Sequence, residues 1–175
     1  LLNIFSPRKR NDEAEFRQLV EQNQRRLYWH LRRILNSHED AEDVLQETFY
    51  KAYKSYSKFD GKCAVYTWLY RIATNEALRF MEKRGPEYEL LDNIGDNIRS
   101  ENDDTDEQLN EQRILLQKAI RTLPEKQKLV FNLRFYDEME YEQICEILSI
   151  SMSAAKTNFH LAKEKIKSYI QSQPL

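Results

Sequence analysis

Glycine is nearly missing from this chain, occurring 3 times in 175 residues, and proline occurs 4 times. So few turn formers argue against a loop-rich fold. The abundant residues, Glu, Lys, Gln and Leu, are strong helix formers, and the fold class they predict is all-α. Cysteine is rarer still. Cys63 and Cys145 lie far apart, in different halves, and His30, His38 and His160 are scattered. No metal-ligand spacing results, and two reduced thiols suit a cytosolic protein. No apolar run reaches the roughly 18 residues of a membrane span. The start Leu1-Leu2-Asn3-Ile4-Phe5 is too short for a signal-peptide apolar core and is followed by Pro7. The expectation is a cytoplasmic chain without membrane insertion. Also missing are a phosphate-binding glycine loop and a nucleophile–base spacing. These gaps predict no enzyme, no cofactor and no small-molecule substrate.

What the chain has in quantity is charge, at 32% of residues, with a net of -2. That total hides a pattern: residues 1–84 come to about +4, residues 85–112 to about -9 and residues 113–175 to about +3. Gly85-Pro86 ends a helix, since glycine suits a left-handed cap and proline cannot continue. From there to residue 106, acids accumulate with little apolar periodicity. The reading is two small helical domains, residues 1–84 and 107–175, joined by an acidic linker, 85–106, whose self-repulsion extends it.

The most informative stretch of the first domain is Asp40 to Tyr53. Ala41, Val44, Leu45, Thr48, Phe49 and Ala52 recur at helical spacing and form a core stripe. Ser37 is placed to cap this helix, which runs to about Tyr56. Asp43, Gln46, Glu47 and Tyr50 remain on the other face. Ahead of it, a basic arm ends in Arg8-Lys9-Arg10, and Asn11 or Asp12 can cap a first helix with Phe16, Leu19, Leu27, Leu31 and Ile34 inward. After it, residues 57–63 read as a loop, and a third helix spans about 64–83. Loop and helix collect Lys58, Phe59, Lys62, Tyr66, Trp68, Tyr70 and Arg71. Cations bind phosphates and aromatic faces stack on unpaired bases, so interleaving them is a way to hold a single strand. The same aromatics can equally fill a core.

The second domain reads as four helical segments. The first carries Leu116, Ala119 and Ile120, and the second follows Leu123-Pro124-Glu125 with Leu129, Val130, Leu133 and Phe135. Then Glu140 to Leu148 is followed by the tight turn Ser149-Ile150-Ser151. Ser151 can cap the last helix, from Met152 to about Ile170, with Ala155, Phe159, Ala162, Ile166 and Ile170 inward. Two helices joined by a short turn, the second longer and basic, form the helix-turn-helix pattern. Ser153, Lys156, Thr157, Asn158 and His160 would lead into a major groove, where Asn can bond adenine bidentately.

Taken together, these pieces resemble a known family. Asp40-Ala41-Glu42-Asp43-Val44-Leu45-Gln46-Glu47-Thr48-Phe49 looks like region two of the sigma-70 family, and Trp68-Leu69-Tyr70-Arg71-Ile72-Ala73 with Asn75 fits its next part. Leu123-Pro124-Glu125-Lys126-Gln127, Tyr141 with Ile144, and Ile150-Ser151 before Ala155-Lys156 look like region four. The order and the acidic joint are similar to the small extracytoplasmic function (ECF) sigma factors. The resemblance implies a bacterial initiation factor whose partners are core RNA polymerase, promoter DNA and an anti-sigma factor. Asp40, Asp43, Gln46, Glu47 and Tyr50 would meet polymerase, with Asp43 and Gln46 at the matching positions. Lys58, Phe59, Lys62, Tyr66, Trp68, Arg71, Asn75 and Arg79 would capture and melt the minus-ten element. Ser151, Ser153, Lys156, Thr157, Asn158, His160 and Lys163 would read the minus-thirty-five element. The sequence departs from the pattern at Thr74, where Arg is frequent, at Arg79, where an acid is common, and at Asn158 and Leu161, where Arg is common. The competing reading is a stand-alone helix-turn-helix regulator, which explains residues 107–170 but not the first domain.

Overall fold

The apolar stripes close into two helical bodies in the computed structural model, Leu1–Tyr88 and Glu89–Leu175. Residues 7–35, 37–91 and 107–173 are described, and among them every regular element is a helix. In the first body α1 (Pro7–Ile34), α2 (His38–Tyr56) and α3 (Val65–Arg84) pack pairwise on one another. Leu27 and Leu31 of α1, Ala41 and Ala52 of α2, and Leu69, Ala73 and Ala77 of α3 are wholly buried between them. Small alanines on α2 and α3 let these helices approach closely while leucines from α1 fill the space.

A buried polar pair ties α1 to α3 inside this bundle, whereas the buried Thr67 hydroxyl of α3 has no hydrogen-bond partner among the described residues. His30 is fully buried on α1, with Nε2 2.9 Å from Thr74 Oγ1 on α3 and its ring 4.8 Å from that of Tyr70. Thr74 in turn donates to the Tyr70 carbonyl. Thr74 therefore serves the α1–α3 contact. The start of α1 differs from the sequence expectation: the helix begins at Pro7, not at an Asn11 or Asp12 cap, so Arg8-Lys9-Arg10 is helical. Proline's fixed φ suits a first helical position, where its missing N–H is no loss.

Gly85 ends α3 at φ 79° and ψ -178°, a backbone region open to glycine almost alone. A short helix, α4 (Pro86–Leu91), follows directly within the stretch read as linker. Its Tyr88 is buried and meets the Phe80 ring edge-on at 5.7 Å. The expectation for residues 92–106 falls outside the described residues.

In the second body α8 (Met152–Gln171) is the hub, packed by α5 (Glu107–Arg121), α6 (Glu125–Phe135) and α7 (Tyr141–Leu148). Ala119, Ile120, Leu123, Phe131, Ala162 and Ile166 form its core, with Leu116, Phe159 and Tyr169 against them. Phe135 and Ile170, expected inward, are 52% and 37% exposed. Both sit at helix ends, where no further turn covers them. Asn132 on α6 is 1% exposed, and neither amide atom has a protein hydrogen-bond partner. A buried unpaired amide costs about 1–3 kcal/mol, so Asn132→Leu, of similar size, should stabilise this body by about 1 kcal/mol. Urea unfolding checks it, with a higher midpoint expected at unchanged slope.

Candidate functional site

Ser37 has extended backbone and its hydroxyl accepts from the Asp40 N–H at 3.0 Å, capping α2. With the cap fixed, Ala41, Val44, Thr48 and Ala52 turn into the bundle. Asp43, Gln46, Glu47 and Tyr50 then line one exposed strip of α2, with Tyr50 52% exposed. The Lys54 ammonium lies 4.2 Å from the Tyr50 ring centre. Asp40 behaves differently from these four. Its carboxylate accepts from Tyr88 Oη at 2.8 Å and lies 3.6 Å from Arg84, with 15% side-chain exposure. This carboxylate fastens α4 to the start of α2 more than it offers a surface. Losing one hydrogen bond to a carboxylate costs about 1.5–3 kcal/mol. Tyr88→Phe keeps the ring and loses only the hydroxyl, so it should lower the melting stability of the first body by about 2 kcal/mol.

Residues 57–64 link α2 to α3. Gly61 takes φ 71°, and Asp60 closes the loop by accepting from the Lys62 N–H at 3.1 Å and from its ammonium at 2.9 Å. The Lys62 hydrogen bonds hold the Asp60 carboxyl below its usual range, and Asp60 raises the Lys62 ammonium above its own. Lys62 is 86% exposed and stays charged. Lys58 is exposed beside it, while Phe59 and Tyr66 are half-buried. Trp68 is 8% exposed, its ring 5.0 Å from Phe59 and 6.4 Å from Tyr56. It anchors the loop to the bundle and offers no open face for a base. This is the core alternative that composition had left standing, and Phe59 is the aromatic nearer the surface. Along α3, Arg71, Asn75 and Arg79 recur every fourth residue on one exposed stripe.

In the second body the helix-turn-helix is present. Glu140 and Gln143 form a reciprocal capping box at the start of α7. Ser149 takes the left-handed turn position at φ 54°, the place where glycine is frequent. Ser151 Oγ accepts from the Ala154 N–H at 3.1 Å and caps α8. Ser153, Lys156, Thr157, His160 and Lys163 follow on its exposed face. The Lys156 and Arg134 cations flank the Tyr141 ring at 5.8 and 5.2 Å, and Lys163 lies 4.9 Å from the Phe159 ring. Asn158 is half-buried and its amide donates to the Ala154 carbonyl at 2.8 Å. It is spent on its own helix, so bidentate adenine contact requires that bond to break.

Comparison with known proteins shows the family to which the chain belongs. Residues 19–87 match the model for Sigma-70 region 2, and residues 113–166 match that for Sigma-70, region 4. The ECF RNA polymerase sigma-E factor of Haemophilus influenzae is 33% identical over 174 residues, covering 93% of this chain and 91% of its own. The chain belongs to the ECF sigma factors. It is thus a transcription initiation factor that directs RNA polymerase to promoters. The sigma factor SigW of Bacillus subtilis is 29% identical, over 93% of this chain and 92% of its own. A sigma factor from Bartonella quintana, solved with the anti-sigma factor NepR, shares the fold at a TM-score of 0.71 and 23% identity, covering 91% of this chain and 99% of that one.

Sequence reasoning missed three residues of this sigma factor's faces. Tyr88 lay inside an acidic stretch that carried no helical signal. Lys51 and Glu76 are 25 positions apart, and nothing in the pattern pairs them. No helix among the described residues is long and apolar enough to cross a membrane. Among the same residues no cluster of His, Cys, Asp or Glu is placed to hold a metal ion.

Proposed function

We propose that this sigma factor divides a promoter between its two bodies while α2 holds the polymerase. Asp43, Gln46, Glu47 and Tyr50 dock on core RNA polymerase, with Asp40 keeping α2 and α4 in register behind them. Lys58, Phe59, Lys62, Tyr66, Arg71, Asn75 and Arg79 hold the minus-ten strand, and Trp68 acts from behind by fixing Phe59. Flipping a base costs a few kcal/mol, which the loop's cations and the rim aromatics offset. Ser151, Ser153, Lys156, Thr157, His160 and Lys163 meet the minus-thirty-five duplex, and Asn158 joins only if it leaves Ala154. The acidic residues between the bodies suit a channel built for nucleic acid, since they mimic phosphate charge.

The observation that supports this reading is that Asp43, Gln46, Glu47 and Tyr50 share one exposed stripe of α2, Arg71, Asn75 and Arg79 one of α3 beyond the loop that carries Lys58 and Lys62, and Ser153, Lys156, Thr157, His160 and Lys163 the exposed face of α8. The protein works in the cytoplasm and carries no chemistry of its own. An anti-sigma factor holds it when it is idle, as NepR is bound to the Bartonella quintana relative. A gel shift on duplex promoter DNA tests the assignment. A stable shift is expected only with core polymerase added. Tight duplex binding by the chain alone would favour a stand-alone helix-turn-helix regulator.

A further inference from the structure

Both carboxylate oxygens of Glu76 are held by cations. It lies on the inner side of α3 at 8% exposure, where a carboxylate needs partners. Oε2 accepts from Lys51 Nζ of α2 at 2.6 Å, and Oε1 accepts from Arg79 Nη1 at 2.6 Å. The Lys51 ammonium is also 3.5 Å from Glu47 Oε1. Four alternating charges therefore run from one face to the other: Glu47, Lys51, Glu76, Arg79. The outer two are exposed, at 49% and 62% of their side chains, and Glu76 between them is 9% exposed. The hydrogen bond that Lys51 donates to Glu76 is the main reason that Lys51 titrates above its ordinary 10.5, so the ammonium stays charged.

We infer that Glu76 is a positioning residue that couples the polymerase face of α2 to the DNA face of α3, by holding Arg79 back until Glu47 is engaged. The inference rests on the surfaces assigned under the proposed function. Glu76 divides one negative charge between two cations, and Lys51 divides one positive charge between two acids. A cationic group of the polymerase that takes Glu47 leaves Lys51 wholly to Glu76. A carboxylate neutralised in this way holds Arg79 less, and the guanidinium is released to a phosphate, its better partner. Linkage demands the reverse as well: a phosphate on Arg79 turns Lys51 toward Glu76 and leaves Glu47 open to the polymerase. The outer charges are screened by salt, and the shielded link through Glu76 is what transmits the change.

The test is a titration of the full chain with a fluorescent, mixed-sequence single-stranded DNA at several salt concentrations. Glu76→Gln keeps size and hydrogen bonding and removes the charge. It should tighten binding several-fold and steepen the salt slope by about 0.7, the value of one added phosphate contact on a single strand. Glu47→Gln imitates capture by the polymerase and should give a smaller gain of the same kind. Both gains should vanish in an Arg79→Ala background. Glu82→Gln, an exposed acid on the same helix, measures the general effect of losing a negative charge. Gains no larger than that of Glu82→Gln, or gains that survive Arg79→Ala, would overturn the coupling. Should Glu76→Gln fail to fold, Glu47→Gln at its exposed site decides the matter by the same comparison. No polymerase is present in this titration, so its failure is separable from a failure to bind core enzyme.

Discussion

Asp43→Arg should weaken binding to core RNA polymerase on the order of 100-fold, while the free protein melts where the wild type does. The reason lies in the position of the residue. Asp43 is exposed on α2, one residue before the buried Val44, on a helix whose cap and packing do not involve its side chain. Surface changes of this kind usually move stability by less than about 0.5 kcal/mol. At an interface the reversal removes a favourable charge and introduces a repulsive one. Like-charge contacts cost several kcal/mol, and about 1.4 kcal/mol is one decade in affinity. Gln46→Ala on the same strip should lose less, on the order of 10-fold, since it removes hydrogen bonds without adding repulsion. Anisotropy of the labelled chain titrated with core enzyme gives both numbers. Unchanged affinity in both variants would remove α2 from the interface.

The second large effect concerns the other body. Phe131 is 4% exposed, stacked on Phe135 at 5.1 Å and on Phe159 at 5.9 Å, and meets Tyr136 edge-on at 6.5 Å. It sits where α5, α6 and α8 share their core. Truncating a buried Phe to Ala costs about 3–5 kcal/mol. A small domain has little more than about 5 kcal/mol in total. Phe131→Ala should therefore leave α5–α8 largely unfolded at growth temperature, with the α1–α3 bundle still cooperative. Limited proteolysis followed by mass measurement checks it, the expected stable fragment ending near residue 91. Minus-thirty-five recognition should disappear with it, and core binding through α2 should survive.

Much of this architecture could be read from the amino-acid order, for identifiable reasons. The Ser37 and Ser151 caps were legible because a cap is a local bargain between one hydroxyl and an N–H three residues away. The α2 stripe was legible because Ala41, Val44, Thr48 and Ala52 keep one helical face. What escaped were the relations between helices. Periodicity shows that Trp68 lies on a helix, but not that Phe59 and Tyr56 close over it. It shows Glu76 on α3, but not that Lys51 of α2 reaches it. The α4 helix was hidden because an acidic composition masked a single anchoring aromatic, Tyr88, whose partner Asp40 lies 48 positions earlier. Asn158 looked like a base-reading residue because residue type was visible and its bond to Ala154 was not.

The central claim is that this chain gives core polymerase its choice of start site. It is tested most directly by run-off transcription of fragmented genomic DNA from the source organism, using core enzyme with and without the chain, followed by mapping of the RNA ends. New starts should appear only when the chain is present, and their upstream sequences should share two short elements at a fixed separation. An identical set of starts with and without the chain, or new starts that share a single element, would contradict the account.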